Sequence, residues 1–214
     1  MIEIILRSLN AFIHPTLMYA RWKDWDGNAL EHLPILYHDI EEYMAALLAK
    51  VSEEIVRTSK RIMLEYPEID LSNVIPLYEW ELLYYGDYIT DKSNLMTTIR
   101  TNSGLQGITY PMIKTETEKY IPDFKHRFLT EYVLFGLLVI RSIAEMAGVS
   151  TPCMDDVLTW CQQKICQEYL VGSKLITKNL ATTRCPQRYG LITIAQILRY
   201  YSKNQQTHND AELC

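Results

Sequence analysis

Three stretches of the chain carry side chains whose types and spacing suit acid–base chemistry or anion binding. The first is Asn10-Ala-Phe-Ile-His14-Pro15, followed by Tyr19-Ala-Arg-Trp-Lys-Asp-Trp-Asp-Gly27. A residue before proline has a restricted backbone, which helps aim an imidazole, and histidine titrates near neutrality as a general acid or base must. A satisfied loop histidine would look the same. The second is Leu77-Tyr-Glu-Trp80-Glu-Leu-Leu-Tyr84-Tyr85-Gly86-Asp87. Aromatics at this spacing on a short helix are either core or the wall of a ligand pocket. The third runs Pro122-Asp-Phe-Lys-His-Arg127-Phe-Leu-Thr-Glu131-Tyr-Val-Leu-Phe-Gly136. Arg127 and Glu131, one helical turn apart, either pair on the surface, worth well under ~1 kcal/mol, or enter a cleft. In a cleft the guanidinium would hold a carboxylate through two hydrogen bonds.

Helices must position these groups. Ile40, Met44, Leu47, Leu48, Val51, Ile55 and Ile62 form one apolar stripe, so a helix is expected over Ile40–Glu65, with Asp39 and Glu42 at capping-box spacing and Pro67 stopping it. A second, central helix is expected over Thr130–Ala147, closed by Gly148. A third begins at Thr151-Pro152, turns Val157, Leu158, Cys161, Ile165 and Tyr169 inward, and ends at Gly172. Shorter helices are expected at Leu77–Tyr85, Asn94–Thr98, Tyr110–Glu118 and Thr193–Tyr201. No stretch shows strand alternation, although Met1–Leu9 could be an extended lead-in. The expected architecture is all-α, one domain over residues 1–201 with a loose polar tail at 202–214.

Composition narrows the function. The chain has 214 residues, 48 % hydrophobic and 22 % charged, enough for a substantial core. With 21 basic and 26 acidic residues the net charge is −5, which argues against a nucleic-acid partner. Low glycine (8) beside 15 tyrosines suits packed helices, and no G-x-G-x-x-G turn for a dinucleotide occurs. The five cysteines, Cys153, Cys161, Cys166, Cys185 and Cys214, have no metal-ligand spacing and are read as reduced, mostly buried thiols. The longest uncharged apolar run, Val133–Ile140, is too short for a bilayer. No membrane association is expected, and the cytoplasm is the expected location.

Taken in order, Asn10-x-x-Ile-His14-Pro15, Trp22-x-Asp-Trp-Asp26-Gly27, Arg127-Phe-Leu-Thr-Glu131 leading to Phe135-Gly136, Gly148-Val-x-Thr-Pro152 and Pro186-Gln-Arg-Tyr-Gly190 resemble the C-terminal domain of the octopine/nopaline (opine) dehydrogenases. The resemblance implies a helical bundle similar to the C-terminal domain of 6-phosphogluconate dehydrogenase. It also implies reductive condensation of an amino acid with pyruvate or another 2-oxo acid, using NADH or NADPH. By position, His14 matches the family's catalytic acid/base, Arg127 its carboxylate-binding arginine, and Trp80, more loosely, an aromatic of the amino-acid pocket. The family pattern continues Thr-Glu-Asp-x-Pro, its Asp pairing with the histidine. Here Tyr132 stands in place of that Asp, so Glu131 either takes over or the activation of His14 is lost. No cofactor site is expected in this chain; NAD or NADP and the Rossmann domain, N-terminal in this family, would belong to the complete protein. A helical remnant that binds a partner or small ligand without catalysis is the rival implication.

Overall fold

The computed structural model describes residues 1–201, apart from the side chains of Thr177 and Lys178. The tail expected to be loose lies outside them. The chain begins with α1 (Ile2–Leu6) and α2 (Leu9–Trp22), continues through α3 (Glu42–Glu65), α4 (Leu77–Tyr85) and α5 (Leu95–Arg100), and then forms a hairpin of β1 (Met112–Lys114) and β2 (Tyr120–Pro122). After α6 (Arg127–Thr130), a π-helical turn over Val133–Leu137 runs into α7 (Leu138–Met146), and α8 (Pro152–Lys164) follows. A second hairpin pairs β3 (Leu170–Val171) with β4 (Lys174–Leu175). Two 3₁₀ turns (Thr177–Thr182 and Pro186–Tyr189) lead to a helix over residues 194–201.

The start of the chain is the largest departure from expectation. Met1–Leu9 is not extended, and the stretch read as a loop around His14 lies inside α2, with Pro15 in its interior. Proline removes the N–H that would reach the Ala11 carbonyl and costs a helix about 3 kcal/mol. Burial outweighs that cost. Phe12, Ile13, Leu17 and Met18 are all buried, at about 1.5–3 kcal/mol each. α2 packs on α3, α6, α8 and the π turn, and so shares the central place expected of Thr130–Ala147 alone.

Other boundaries move for local reasons. α3 keeps its apolar stripe, with Met44, Leu48, Val51, Ile55 and Ile62 buried and Leu47 half-buried. Its N-cap is Glu41, however, without a side-chain cap, because Asp39 Oδ2 instead accepts from Ile35 N at 2.7 Å. The helix expected at Tyr110–Glu118 is the β1–β2 hairpin, its turn closed by Thr115 and Lys119, with Glu118 at φ +63°. The central helix is broken by the π turn and leaves Phe135 49 % exposed. The third helix stops at Lys164, and Gly172 turns the β3–β4 hairpin instead. Gln162 explains that stop: its side chain bonds Tyr169 N, Leu170 N and Leu170 O, holding the chain beyond the helix against it. Tyr169 is buried as expected, but not from a helix. Of the four described cysteines, Cys161 and Cys185 are buried and Cys166 is exposed. No helix among the described residues is long and apolar enough to cross a membrane.

Two devices fix the frame. Glu54 on α3 is buried, and its carboxylate accepts from Cys153 N (2.8 Å) and Met154 N (2.9 Å), capping α8 from another helix. Arg141 on α7 is buried and bonds Asp155, Glu145 and the Ser173 carbonyl, tying α7, α8 and the second hairpin together.

Candidate active site

α2 carries His14 into the interior at 7 % exposure. Phe128, on α6, stacks on the imidazole with centroids 4.0 Å apart and planes 9° from parallel. Tyr132, one turn further, lies 5.2 Å away at 20°. The guanidinium of Arg127 sits 5.1 Å from the Tyr132 centroid, a cation–π distance. Arg127 also pairs with Glu131 at 3.1 Å, each about half exposed. A cleft of about 340 Å³ opens here, lined by Ser8, Asn10, Arg127, Glu131, Tyr132 and Phe135. Arg127 and Glu131 therefore reach solvent in the cleft, and His14 lies behind the Tyr132 ring, outside the cleft lining. Gly136 lets the two walls meet, since a Cβ there would stand 2.5 Å from Ala11 Cβ.

Burial sets the charge state of His14. Loss of solvent, helped by His126 and Arg127 and opposed by the Asn10 carbonyl, lowers its pKa to about 4. The ring is neutral at pH 7. Its Nε2 lies 2.9 Å from the hydroxyl of Tyr37, and its Nδ1 has no aligned hydrogen-bond partner. Tyr37 comes from a loop pinned on both sides: Leu36 N donates to Ile108 O, Tyr110 N to Pro34 O, and Ile35 N to Asp39. Burial raises the Tyr37 phenol, with Glu81 the largest charged contributor. Glu81 is itself buried on α4 and accepts from Asn102 Nδ2 at 3.1 Å. Burial pushes its carboxyl up to about 7, against the opposing Asn102 hydrogen bond.

Trp80 stands apart from this cluster. Its ring is tilted 34° against Tyr84 with centroids 4.7 Å apart, and it lines a small recess with Leu9, Phe12 and Ile55. Four residues of the site escaped the sequence reading. Phe128 and Glu81 sit inside stretches already singled out, but Asn102 lies outside them and Tyr37 belongs to a turn with no periodic signal to mark it. Gly27, Gly107, Gly148, Gly172 and Gly190 take positive φ, and among the described residues no glycine joins a strand to the start of a helix, the place where pyrophosphate sits in dinucleotide-binding folds. Among the described residues no group of three or more His, Cys, Asp or Glu converges on a possible metal.

Residues 1–165 match the NAD/NADP octopine/nopaline dehydrogenase family, alpha-helical domain, and the chain belongs to that family. It is 44 % identical over 193 residues to the opine dehydrogenase of Haliotis discus hannai, covering 90 % of this chain and 47 % of that protein. The tauropine dehydrogenase of Arabella iricolor is 43 % identical, with 90 % and 49 % covered. An octopine dehydrogenase solved with NADH and L-arginine superposes with a TM-score of 0.87 at 38 % identity, over 92 % of this chain and 48 % of that one. The chain thus spans about half the length of the curated relatives it matches.

Proposed function

We propose that this chain is the substrate-binding half of an opine dehydrogenase, a single domain over residues 1–201. The complete protein would condense an amino acid with a 2-oxo acid such as pyruvate and reduce the product with NADH or NADPH. The observation that carries this reading is the contact chain from Arg127 through Tyr132 to His14 at the edge of a cleft. Arg127 is the group for a substrate carboxylate, which its planar fork fits bidentately. An incoming carboxylate would displace Glu131, freeing that side chain as the second proton carrier. Both protons that the attacking amine gives up must end on the oxo oxygen, which leaves as water; neutral His14 carries one of them and Glu131 the other, so the water-forming step balances within the site. Trp80, in a separate recess beside Phe12, is assigned to the amino-acid pocket by its place in the family pattern alone. The chain matches the helical domain of the family and about half of its relatives' length, so the nucleotide and its Rossmann domain would belong to the complete protein. The bundle shares the architecture of the 6-phosphogluconate dehydrogenase C-terminal domain, and the enzyme acts in the cytoplasm.

Tyr132 favours a second reading, a binding module that has lost catalysis, because a phenol stacks on His14 where the family pattern places a carboxylate. One experiment separates the two. The chain is joined to the dinucleotide-binding domain of an opine dehydrogenase, and NADH oxidation is followed with pyruvate and a panel of amino acids. Turnover that is lost in Arg127→Leu is the expected result. No oxidation with any pair, alongside pyruvate-dependent NMR shifts at Arg127, would favour the module; neither signal would overturn both.

A further inference from the structure

We propose that Tyr37 is the positioning residue of His14, donating its hydroxyl hydrogen to Nε2 and thereby holding the ring as the Nδ1–H tautomer. The inference rests on the reading of His14 as the proton carrier, and it supplies what Tyr132 cannot; with Nε2 bonded to Tyr37, a proton reaches the ring through the Tyr37 hydroxyl, which passes its own hydrogen to Nε2 as it takes another. Tyr132 and Phe128 lie nearly parallel to the imidazole, so they fix its plane but form no hydrogen bond to either ring nitrogen. Tyr37 OH does, at 2.9 Å and in the interior.

The direction of that bond follows from counting donors. A neutral imidazole carries one N–H and one lone pair. Were the hydrogen on Nε2, the Nδ1 lone pair would be buried with no donor to meet it, and the Tyr37 hydroxyl hydrogen would have no acceptor in a hydrogen bond at the site. With the hydrogen on Nδ1, the ring N–H faces the electrostatically favourable Asn10 carbonyl one turn back, and Tyr37 O–H meets Nε2. The second arrangement leaves fewer buried groups unpaired, and such groups are the costly ones. The loop that carries Tyr37 has little freedom to withdraw it, being bonded to Ile108, Pro34 and Asp39 around the tyrosine. The groups facing this hydroxyl from the packed elements are His14, Glu81, Tyr85 and Tyr132, and Glu81, raised by burial, adds no full charge below neutrality.

The test reads the tautomer rather than the rate. Ring-¹⁵N NMR of histidine-labelled chain at pH 7 should show His14 as the Nδ1–H form. Tyr37→Phe keeps the ring and removes the donor, and should shift the tautomer ratio toward Nε2–H by about fivefold to tenfold, the bias of one ordinary hydrogen bond. Tyr132→Phe, which keeps the stacking, should leave the ratio unchanged. Should Tyr37→Phe fail to fold, the unmodified chain still decides, because a dominant Nε2–H form overturns the proposal. An unchanged ratio in folded Tyr37→Phe, or a shift in Tyr132→Phe alone, overturns it too. No substrate or nucleotide enters the measurement, so its failure would leave the opine dehydrogenase reading standing, and failed NADH oxidation would not touch the tautomer.

Discussion

Gly136→Ala adds one methyl group where α2 and the π turn touch, and its effect can be worked out from two distances. The new Cβ would stand 2.5 Å from Ala11 Cβ and 3.0 Å from Ala11 Cα, whereas carbon atoms settle at roughly 3.5–4.0 Å. The shortfall at the Cβ pair is about 1 Å or more. Neither alanine has a rotamer to change, so the relief must come from moving one helix against the other. Overpacking of this kind costs about 1–3 kcal/mol. Alanine's lower chain entropy and better helix propensity return roughly 0.5–1 kcal/mol; with no rotamer to yield, the overpacking cost falls in the upper half of its range and the net loss is about 1–2 kcal/mol. For a chain of this size that corresponds to a fall of about 2–8 °C in Tm. The assay is a double-mutant cycle by urea unfolding with Gly136→Ala, Ala11→Gly and both together. The double variant should recover most of the Gly136→Ala loss, because the clash has one partner. A Gly136→Ala chain as stable as the original, or an additive double variant, would refute the close-contact argument.

Four further outcomes are expected. Tyr132→Asp, joined to a dinucleotide-binding domain, should raise turnover at least tenfold, part of the roughly 10²–10⁴-fold that acid–base catalysis contributes; an unchanged rate in a folded variant would place the carboxylate role elsewhere. The chain alone should show no NADH heat by calorimetry, and low-micromolar binding would contradict the glycine geometry. His14, held at about 4 against an ordinary 6.5, favours the fold above 6.5 and loses that advantage as pH falls toward 4, by about 3 kcal/mol. Glu81, raised from 4.5 to about 7, acts oppositely, losing stability as pH rises from 4.5 to 7. Glu81→Gln should therefore unmask a steeper fall in stability on acidification between pH 6.5 and 4, read from urea midpoints, and an unchanged profile would count against a raised Glu81. Glu54→Ala strands two buried amides at the start of α8 at about 1–3 kcal/mol each; a urea midpoint equal to that of the original chain would show that α8 needs no cap.

Periodicity was readable where helices bury one face, and less so where they bury everything. The α3 stripe and the Leu77–Tyr85 helix match the structure directly. α2 was hidden by Pro15, because local propensity argues for a break and only the packing around Phe12, Leu17 and Met18 overrides it. The β1–β2 hairpin was read as a helix since its strands are three residues each, too short for alternation to show. Within the site, Arg127 and His14 stood out through residue type and order. Tyr37 did not, because what makes it a partner is a tertiary contact 23 positions away.

The π turn has a consequence for insertions and deletions. A π turn is an α-helix carrying one surplus residue, and a residue occupies about 100° of helical rotation. Deleting one position from Val133–Leu137 would let the segment relax into regular α-helix with every backbone bond intact. The same deletion would swing Arg127, Phe128 and Tyr132 by a quarter turn or more relative to α7, away from His14 and out of the cleft. Length at this turn therefore sets the geometry of the candidate site, and a chain one residue shorter there would keep the helix and misdirect all three side chains at once.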